Sequence, residues 1–413
     1  MRSRSPTSPA ISSAAEALQL PVSDLLGSES IDGVFDDMVD LRRAVHRHPE
    51  LAFAEHSTTE LIRQRMADLQ IGELTRTTDT GGIFAMDGGR PGRSVVMRAD
   101  IDALPVQEDQ SRPHHSAVDG VMHACGHDIH VASLLGVANV LASRREDLPG
   151  RYIFLFQPGE EALCGAKKMV EGGALKLMEG ARLVGFHVTS QLPVGFVALR
   201  EGVAMSEAHS LRMVLTGPGG HGAMPMGGGD VIKATAELVS HLGTVTEGLS
   251  FQGADCVCSA GTLSAGTAVN VVPTRATVTG TLRTFTDVQR EDALARLRAL
   301  CTRVGEAHGV EVEITVPERT PAVVNDGTVT DIVESAAHTL LGRDHVIRMP
   351  PSAPSDDVSE FLNHLPGSYF FVGGAAGDGS SGMHHSPTFS VVDESLRVGA
   401  GVVARSAVEM AAP

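Results

Sequence analysis

The chain has 413 residues, of which 42% are hydrophobic, and its formal net charge is −17. This length fits two or three domains, and the hydrophobic content argues against global disorder. The acidity argues against nucleic acid or an anionic membrane as partner, because both are bound through basic patches. Five cysteines are too few for a disulfide framework, and the chain has no run of 18 uncharged apolar residues that would predict a membrane span. We therefore expect a cytoplasmic protein.

The first half of the chain alternates helix and strand patterns. Residues 1–32 carry two arginines but no long apolar segment, which predicts a flexible tail rather than a signal peptide. Apolar residues recur at helical spacing in 36–45 and 58–69. Short apolar runs, typical of strands buried on both faces, lie at 94–100, 152–157 and 182–188. Buried strands separated by helices predict an α/β core with a mostly parallel sheet flanked by helices.

The middle of the chain has a different pattern. It reads as strand 209–217, amphipathic helix 230–242, strands 255–263 and 275–285, helix 287–307 and strand 310–316. The order β-α-β-β-α-β is that of a ferredoxin-like α+β unit. The core pattern resumes with a strand at 368–374 and a closing helix at 393–411. We therefore predict one core domain, formed by 33–204 and 318–413, that is interrupted by an inserted domain at 205–317.

Cys125 and His127 lie in the stretch Ala-Cys-Gly-His-Asp-Ile-His, immediately before a helical pattern. A helix N-terminus favours the thiolate, which is the form that binds a metal or attacks a carbonyl. The motif by itself leaves open a metal site, a cysteine nucleophile and a purely structural helix start.

Further metal-binding side chains lie at other predicted strand ends. Glu160 and Glu161 follow the strand at 152–157, where parallel sheets place their ligands, and His187 lies within the strand at 182–188. A loop near the C-terminus offers His384 and His385. Thiolate, imidazole and carboxylate suit zinc or manganese, and these residues exceed what one tetrahedral ion needs. A cysteine protease would leave the two glutamates and His187 unexplained. Considered singly, Glu160 and Glu161 could also be an exposed acidic pair at a helix start, and His187 could be a histidine of the core.

Eight motifs, in order from residue 42 nearly to the end, carry a family resemblance. They are RRAVHRHPELAFAE (42–55), MRADIDALPVQE (97–108), MHACGHDIH (122–130), FQPGEE (156–161), GAKKMVEGG (165–173), GPGGHGAMP (217–225), VNVVPTRATVTGTLRTF (269–285) and HSPTF (385–389). The sequence resembles the dinuclear metallohydrolases that include aminoacylases and zinc carboxypeptidases. Within them it is similar to the amidohydrolase branch, which contains N-acyl amino acid amidohydrolases, hippurate hydrolases and plant auxin-conjugate hydrolases.

The resemblance implies a site for two divalent metal ions, zinc or manganese before cobalt or nickel. The implied ligands are Cys125, which would bridge the ions, together with His127, Glu161, His187 and His385. Glu160 would be the general base that activates the attacking water and later protonates the leaving amine. Asp100 would orient a ligand, and Asp102 would stabilise a turn. We assign packing or ligand-supporting roles to His123, His130 and His384.

The inserted domain would be the lid and homodimerisation domain of this family. His221 would stabilise the oxyanion, while Asn270 and Arg283 would contact the oxyanion or the substrate carboxylate. The segment 352–362 departs from the family pattern, because Asp356 and Val358 stand where relatives usually have Glu and Phe. We interpret this departure as a change of pocket shape rather than a loss of catalysis.

The predicted activity is metal-dependent hydrolysis of N-acyl amino acids to a carboxylic acid and a free amino acid. A dipeptidase or carboxypeptidase of the same superfamily is the first alternative, and a catalytically silent metal-containing protein that binds a small molecule is the second. A thiol hydrolase with Cys125 as nucleophile is a third. Chelation separates the thiol mechanism from the metal mechanism, because only the latter needs an ion.

Overall fold

The computed structural model describes residues 31–224, 229–317 and 319–413. The predicted tail lies outside the described residues except for Ile31 and Asp32, which begin a short 3-10 helix. The chain forms two compact units. Of the described residues, the core unit contains 31–202, 325–349 and 360–413, and the inserted unit contains those within 203–324 and 350–359. Residues 350–359 therefore group with the inserted unit, although the sequence pattern predicts the core domain for them.

The described helices follow in chain order. They are α1 (Phe35–Arg47), α2 (His56–Asp68), α3 (His127–Ser143), α4 (Gly165–Glu171), α5 (Ala174–Leu177), α6 (Val231–His241), α7 (Asp287–His308), α8 (Gly327–Leu341), α9 (Ser359–Leu362) and α10 (Ser395–Ala411). In this part of the chain no helix is both long and apolar enough to cross a membrane.

The described strands range from two to twelve residues in length. They are β1 (Gly72–Glu73), β2 (Gly82–Asp87), β3 (Arg90–Asp100), β4 (Pro149–Gln157), β5 (Arg182–Pro193), β6 (Val197–Leu199), β7 (Gly202–Met205), β8 (Glu207–Thr216), β9 (Gly220–His221), β10 (Ser250–Phe251), β11 (Ala254–Asp255), β12 (Val257–Ala265), β13 (Val271–Val272), β14 (Arg275–Thr284), β15 (Glu311–Thr315), β16 (Arg319–Thr320), β17 (Val323–Asn325), β18 (Val346–Arg348) and β19 (Gly367–Ala375).

The core unit is built on one eight-stranded sheet, in the order β1-β2-β4-β3-β5-β19-β6-β18. Its central strands β4, β3, β5 and β19 are parallel neighbours, whereas β1, β2 and β6 join antiparallel. The central strands are buried on both faces because helices cover them; α3, which is apolar on nearly every side, packs between α1 and α10. This confirms the predicted α/β core with a mostly parallel sheet.

The inserted unit contains a four-stranded antiparallel sheet in the order β12-β14-β8-β15, with β16 also paired to β8. Numbered along the chain, this spatial order is 2-3-1-4, the ferredoxin-like arrangement that the β-α-β-β-α-β pattern predicts. Helices α6 and α7 pack on the sheet, and the core between them contains Met213, Leu238, Val278 and Leu297, all fully buried. The predicted ferredoxin-like insertion is therefore confirmed.

Candidate active site and metal centre

The carboxyl edge of the parallel sheet gathers most of the predicted site residues. Strand β3 ends at Asp100, β4 is followed by Glu160 and Glu161, and β5 carries His187. Because neighbouring parallel strands end at the same edge, these side chains come together although they are far apart in sequence. Asp100, Glu160 and His187 are all buried.

Cys125 and His127 reach the same place from the first turn of α3. Between them Gly126 has φ +92° and caps the helix, and a Cβ at this position would lie 2.4 Å from Cγ1 of Val188 on β5. Glycine therefore lets the helix start approach the strand next to His187. The approach places Sγ of Cys125 3.4 Å from Nε2 of His187.

His127 and Glu161 present unpaired lone pairs to each other. Nδ1 of His127 donates to the Asp102 carbonyl at 2.9 Å, so Nε2 of the neutral ring carries a lone pair. That nitrogen lies 3.8 Å from Oε1 of Glu161, and both atoms are buried without a hydrogen-bond partner among the described residues. Two buried acceptors that face each other need a cation between them, which is either a proton on Nε2 or a metal ion. The donor set therefore fits a metal ion.

The charge balance around these groups also favours a cation. Burial lowers the pKa of His127, but Asp100 and Asp102 outweigh it and raise that pKa to about 10. Burial raises the pKa of Glu161 to about 7 against the opposing effect of His127. Burial, Glu161 and Glu160 hold the pKa of the Cys125 thiol well above its usual range. A thiolate at this position therefore requires a neighbouring positive charge.

The two adjacent histidines of the C-terminal loop face different groups. Nε2 of His385 lies 3.5 Å from Oε2 of Glu161, and its side chain is 54% exposed. Nδ1 of His384 lies 3.6 Å from Sγ of Cys125. His384, for which the sequence predicts only a packing or ligand-supporting role, is therefore in direct contact with the sulfur of Cys125.

Two of the groups of candidate ligand atoms share one sulfur. Cys125, His127 and Glu161 make one group, and Cys125, His187 and His384 make the other; within each, the atoms lie within 4.8 Å of one another. A sulfur common to both groups has the position that a bridging ligand needs.

Buried hydrogen bonds fix the residues around the ligands. Asp100 accepts from Arg98 at 2.7 Å and from Nδ1 of His130 at 2.5 Å. Burial disfavours its charge, but Arg98, His127 and His130 outweigh that effect and hold the pKa of Asp100 well below its usual range. Nε2 of His130 accepts from the backbone N–H of Val188 at 2.9 Å. Asp100 is thus linked, through His130, to the strand that carries His187.

The predicted substrate-binding residues lie in the inserted unit. His221 is exposed on β9, which pairs with β13, and the Asn270 carbonyl accepts the Gly222 N–H at 2.9 Å beside it. Arg283 lies apart from them on β14, where its Nη1 donates to Oγ of Ser355 at 2.9 Å. His221 and Asn270 are therefore neighbours.

The altered segment 352–362 contains a buried apolar side chain. Val358 is fully buried, and its backbone N–H donates to Oδ1 of Asp356 at 2.8 Å. The shorter carboxylate thus serves as a local backbone acceptor in the inserted unit.

Comparison with known proteins identifies the family. The model for peptidase family M20/M25/M40 matches residues 96–409. The chain is 35% identical to an N-acetylcysteine deacetylase of Bacillus subtilis (90% of this chain, 96% of the relative) and 34% identical to the IAA-amino acid hydrolase ILR1-like 2 of Arabidopsis thaliana (91% and 85%). The solved structure of the Bacillus subtilis YXEP protein, a dinuclear metal binding peptidase from the M20 family, superposes with a TM-score of 0.76 at 32% identity and covers 92% of this chain and 99% of its own.

The match covers most of the chain, and it agrees with the fold and with the resemblance carried by the eight motifs. The chain belongs to peptidase family M20/M25/M40, whose amidohydrolases and deacetylases hydrolyse amide bonds, and the predicted family and hydrolase activity are thereby confirmed.

Proposed function

We propose that the protein cleaves N-acyl amino acids to a carboxylic acid and a free amino acid at a dinuclear metal centre. The observation that carries the proposal is the buried pair of His127 Nε2 and Glu161 Oε1, which face each other without a partner in the described part of the chain. The substrate class is supported by relatives that are named N-acetylcysteine deacetylase and IAA-amino acid hydrolase.

We assign the metal ligands to the residues gathered at the sheet edge. Cys125, His127, Glu161, His187 and His385 would together hold the two divalent ions, with His385 beside Glu161. Zinc and manganese suit this mixed set of sulfur, nitrogen and oxygen ligands, while cobalt or nickel would also fit. When bound, such ions polarise the scissile carbonyl and make water a stronger nucleophile at neutral pH.

We assign the proton transfers to Glu160. Its Oε2 lies 3.9 Å from Nε2 of His127, and its backbone N–H is fixed by Asp102 at 3.1 Å. From this position it would take a proton from the attacking water and deliver it to the leaving amine. A base held beside the reacting atoms contributes about 10²–10⁴-fold to the rate.

We assign recognition of the substrate to the inserted unit. Arg283 has the planar, charged head that suits a carboxylate, with His221 as donor to the oxyanion and Asn270 beside it. The same unit would form a homodimer. Support comes from strand β12 at the sheet edge, which is mostly exposed, and from the exposed apolar side chains of Leu263, Val269 and Val271.

Hydrolysis assays across a substrate panel test the proposal. The panel contains N-acetyl, N-benzoyl and long-chain N-acyl amino acids and simple dipeptides, each assayed as purified, after chelation, and after addition of zinc, manganese or cobalt. We expect cleavage of acyl amino acids that chelation abolishes and a metal restores. Cleavage of dipeptides alone would favour a peptidase instead, and activity that survives chelation but not alkylation would favour Cys125 as nucleophile.

A further inference from the structure

His384 uses its two ring nitrogens in the opposite sense to His127 and His187. In His127 and His187, Nδ1 donates to a backbone carbonyl, at 2.9 and 2.7 Å, and Nε2 points into the site. In His384, Nε2 instead lies 3.4 Å from the backbone N–H of Ser190, and Nδ1 points at the sulfur of Cys125, 3.6 Å away.

The Ser190 contact determines where the ring proton of His384 lies. A backbone N–H can only donate, so Nε2 of His384 must supply a lone pair. The hydroxyl of Thr189, 3.3 Å from the same nitrogen, can also donate to it. The proton of the neutral ring is therefore on Nδ1, directed at Sγ of Cys125. A nitrogen that carries a proton cannot also bind a metal ion through a lone pair.

The ring is held in this orientation by packing. Its centroid lies 4.7 Å from that of Phe389 and 5.6 Å from that of His187. The following residue, His385, has φ +62° and donates its backbone N–H to the Ala124 carbonyl at 2.9 Å, which anchors the loop beside Cys125. The position of His384 is thus fixed by its neighbours on both sides.

We propose that His384 is a positioning residue, which donates an Nδ1–H hydrogen bond to the sulfur of Cys125 and is not itself a ligand. The inference rests on the proposed metal centre, because it assumes that this sulfur is a metal-bound thiolate. A hydrogen bond to such a sulfur stabilises its lone pairs and reduces the electron density that it gives to the ions. His384 would thereby tune the bridging position while His385 remains the ligand.

Cobalt-loaded protein gives a readout that does not depend on turnover. Thiolate bound to cobalt absorbs in the near ultraviolet through transfer of charge from sulfur to metal, and the energy of this band follows the energy of the sulfur lone pairs. His384→Leu removes the donor, so we expect the band to move to longer wavelength. His384→Asn keeps an N–H close to the position of Nδ1, so we expect a band near that of the wild type. Both variants should bind two cobalt ions.

His123→Leu is the matched control. His123 is fully buried, and neither of its ring nitrogens has a hydrogen-bond partner within the described residues. The same substitution there should leave the charge-transfer band unchanged.

The remaining outcomes would overturn the inference in distinguishable ways. Loss of one cobalt ion in both His384 variants would show that His384 is a ligand. An unshifted band in His384→Leu, with two ions bound, would show that no hydrogen bond reaches the sulfur. If the wild type binds cobalt without a charge-transfer band, then Cys125 is not a ligand, and the proposed metal centre fails together with the inference.

Discussion

Asp102 holds the backbone of Glu161, whose N–H donates to Oδ2 of Asp102 at 3.0 Å. Oδ1 of the same carboxylate accepts the N–H of Glu160 at 3.1 Å, and the carbonyl of Asp102 accepts Nδ1 of His127. Asp102, which follows β3, therefore positions both the proposed base and two proposed ligands. Its importance comes from having three acceptors in one place, not from contact with a substrate.

Asp102→Asn should loosen this arrangement. An amide has only one oxygen, so one of the two glutamate N–H groups would lose its acceptor and face an NH₂ group. We expect a loss of about 1–3 kcal/mol in the free energy of unfolding and weaker metal binding. Thermal unfolding and calorimetric titration of metal into the metal-free protein measure the two effects.

Asp109→Asn serves as the control for that substitution. Oδ1 of Asp109 accepts the Ser111 N–H at 3.0 Å in an exposed loop, so the chemical change is the same without the ligands. Equal metal affinity in the two variants would show that Asp102 has no part in forming the site.

The sequence predicts the gathering of the site residues better than it predicts their individual contacts. Glu160, Glu161 and His187 meet because parallel strands end at one edge, a rule that needs only the strand pattern. Which of His384 and His385 faces Cys125 depends on the positive φ of His385, and no local pattern encodes that angle. Only the family resemblance singled out His385.

The same distinction applies to the fold. The β-α-β-β-α-β order predicts the antiparallel sheet of the inserted unit, because local hydrophobic periodicity determines each element. The grouping of residues 350–359 with that unit could not be predicted, since it comes from contacts with residues far away in sequence: Oγ of Ser206, for example, lies 3.1 Å from Oγ of Ser355. Strands β9 and β13 have two residues each, too few to produce a periodic signal.

Glu160→Gln should separate catalysis from metal binding. The amide keeps the volume of the side chain but cannot accept a proton, so we expect kcat to fall by about 10²–10⁴-fold with two metal ions still bound. Glu161→Gln is the matched variant, and it should lower the metal content because a proposed ligand is weakened. Activity assays with metal analysis of both proteins test the assignment. Retained turnover in Glu160→Gln, or metal loss in that variant alone, would contradict it.

His46 should make stability depend on pH. Nδ1 and Nε2 lie 3.0 Å from Asp128 and 3.1 Å from Glu108. Burial lowers the pKa of His46, but these carboxylates outweigh it and raise that pKa to about 9 from 6.5. Because the folded pKa is the higher one, the stabilisation is complete below pH 6.5 and is lost as the pH rises through 9.

Comparison with His46→Asn isolates this contribution. The difference in unfolding free energy between wild type and variant should shrink by roughly 3 kcal/mol at most between pH 6 and pH 10. Urea unfolding at several pH values measures the difference. Glu108→Gln removes one of the two carboxylates, so the loss between the same pH values should be smaller in that background. A difference that does not change with pH would show that His46 is not charged in the folded protein.

Gly126→Ala and Gly173→Ala form a pair that separates backbone strain from steric clash. Both glycines precede a helix with a positive φ, +92° and +97°, so each substitution should cost about 1–2 kcal/mol for the unfavourable backbone alone. No described atom outside the chain neighbours lies within 4 Å of a Cβ at position 173, whereas a Cβ at 126 would lie 2.4 Å from Val188. Overpacking of this kind costs a further ~1–3 kcal/mol.

Relief of the clash must move either the start of α3 or the strand beside His187, so metal affinity should fall only in Gly126→Ala. Urea unfolding and calorimetric metal titration measure both effects; equal destabilisation with unchanged metal affinity would mean that the close approach of α3 to β5 does not position the ligands.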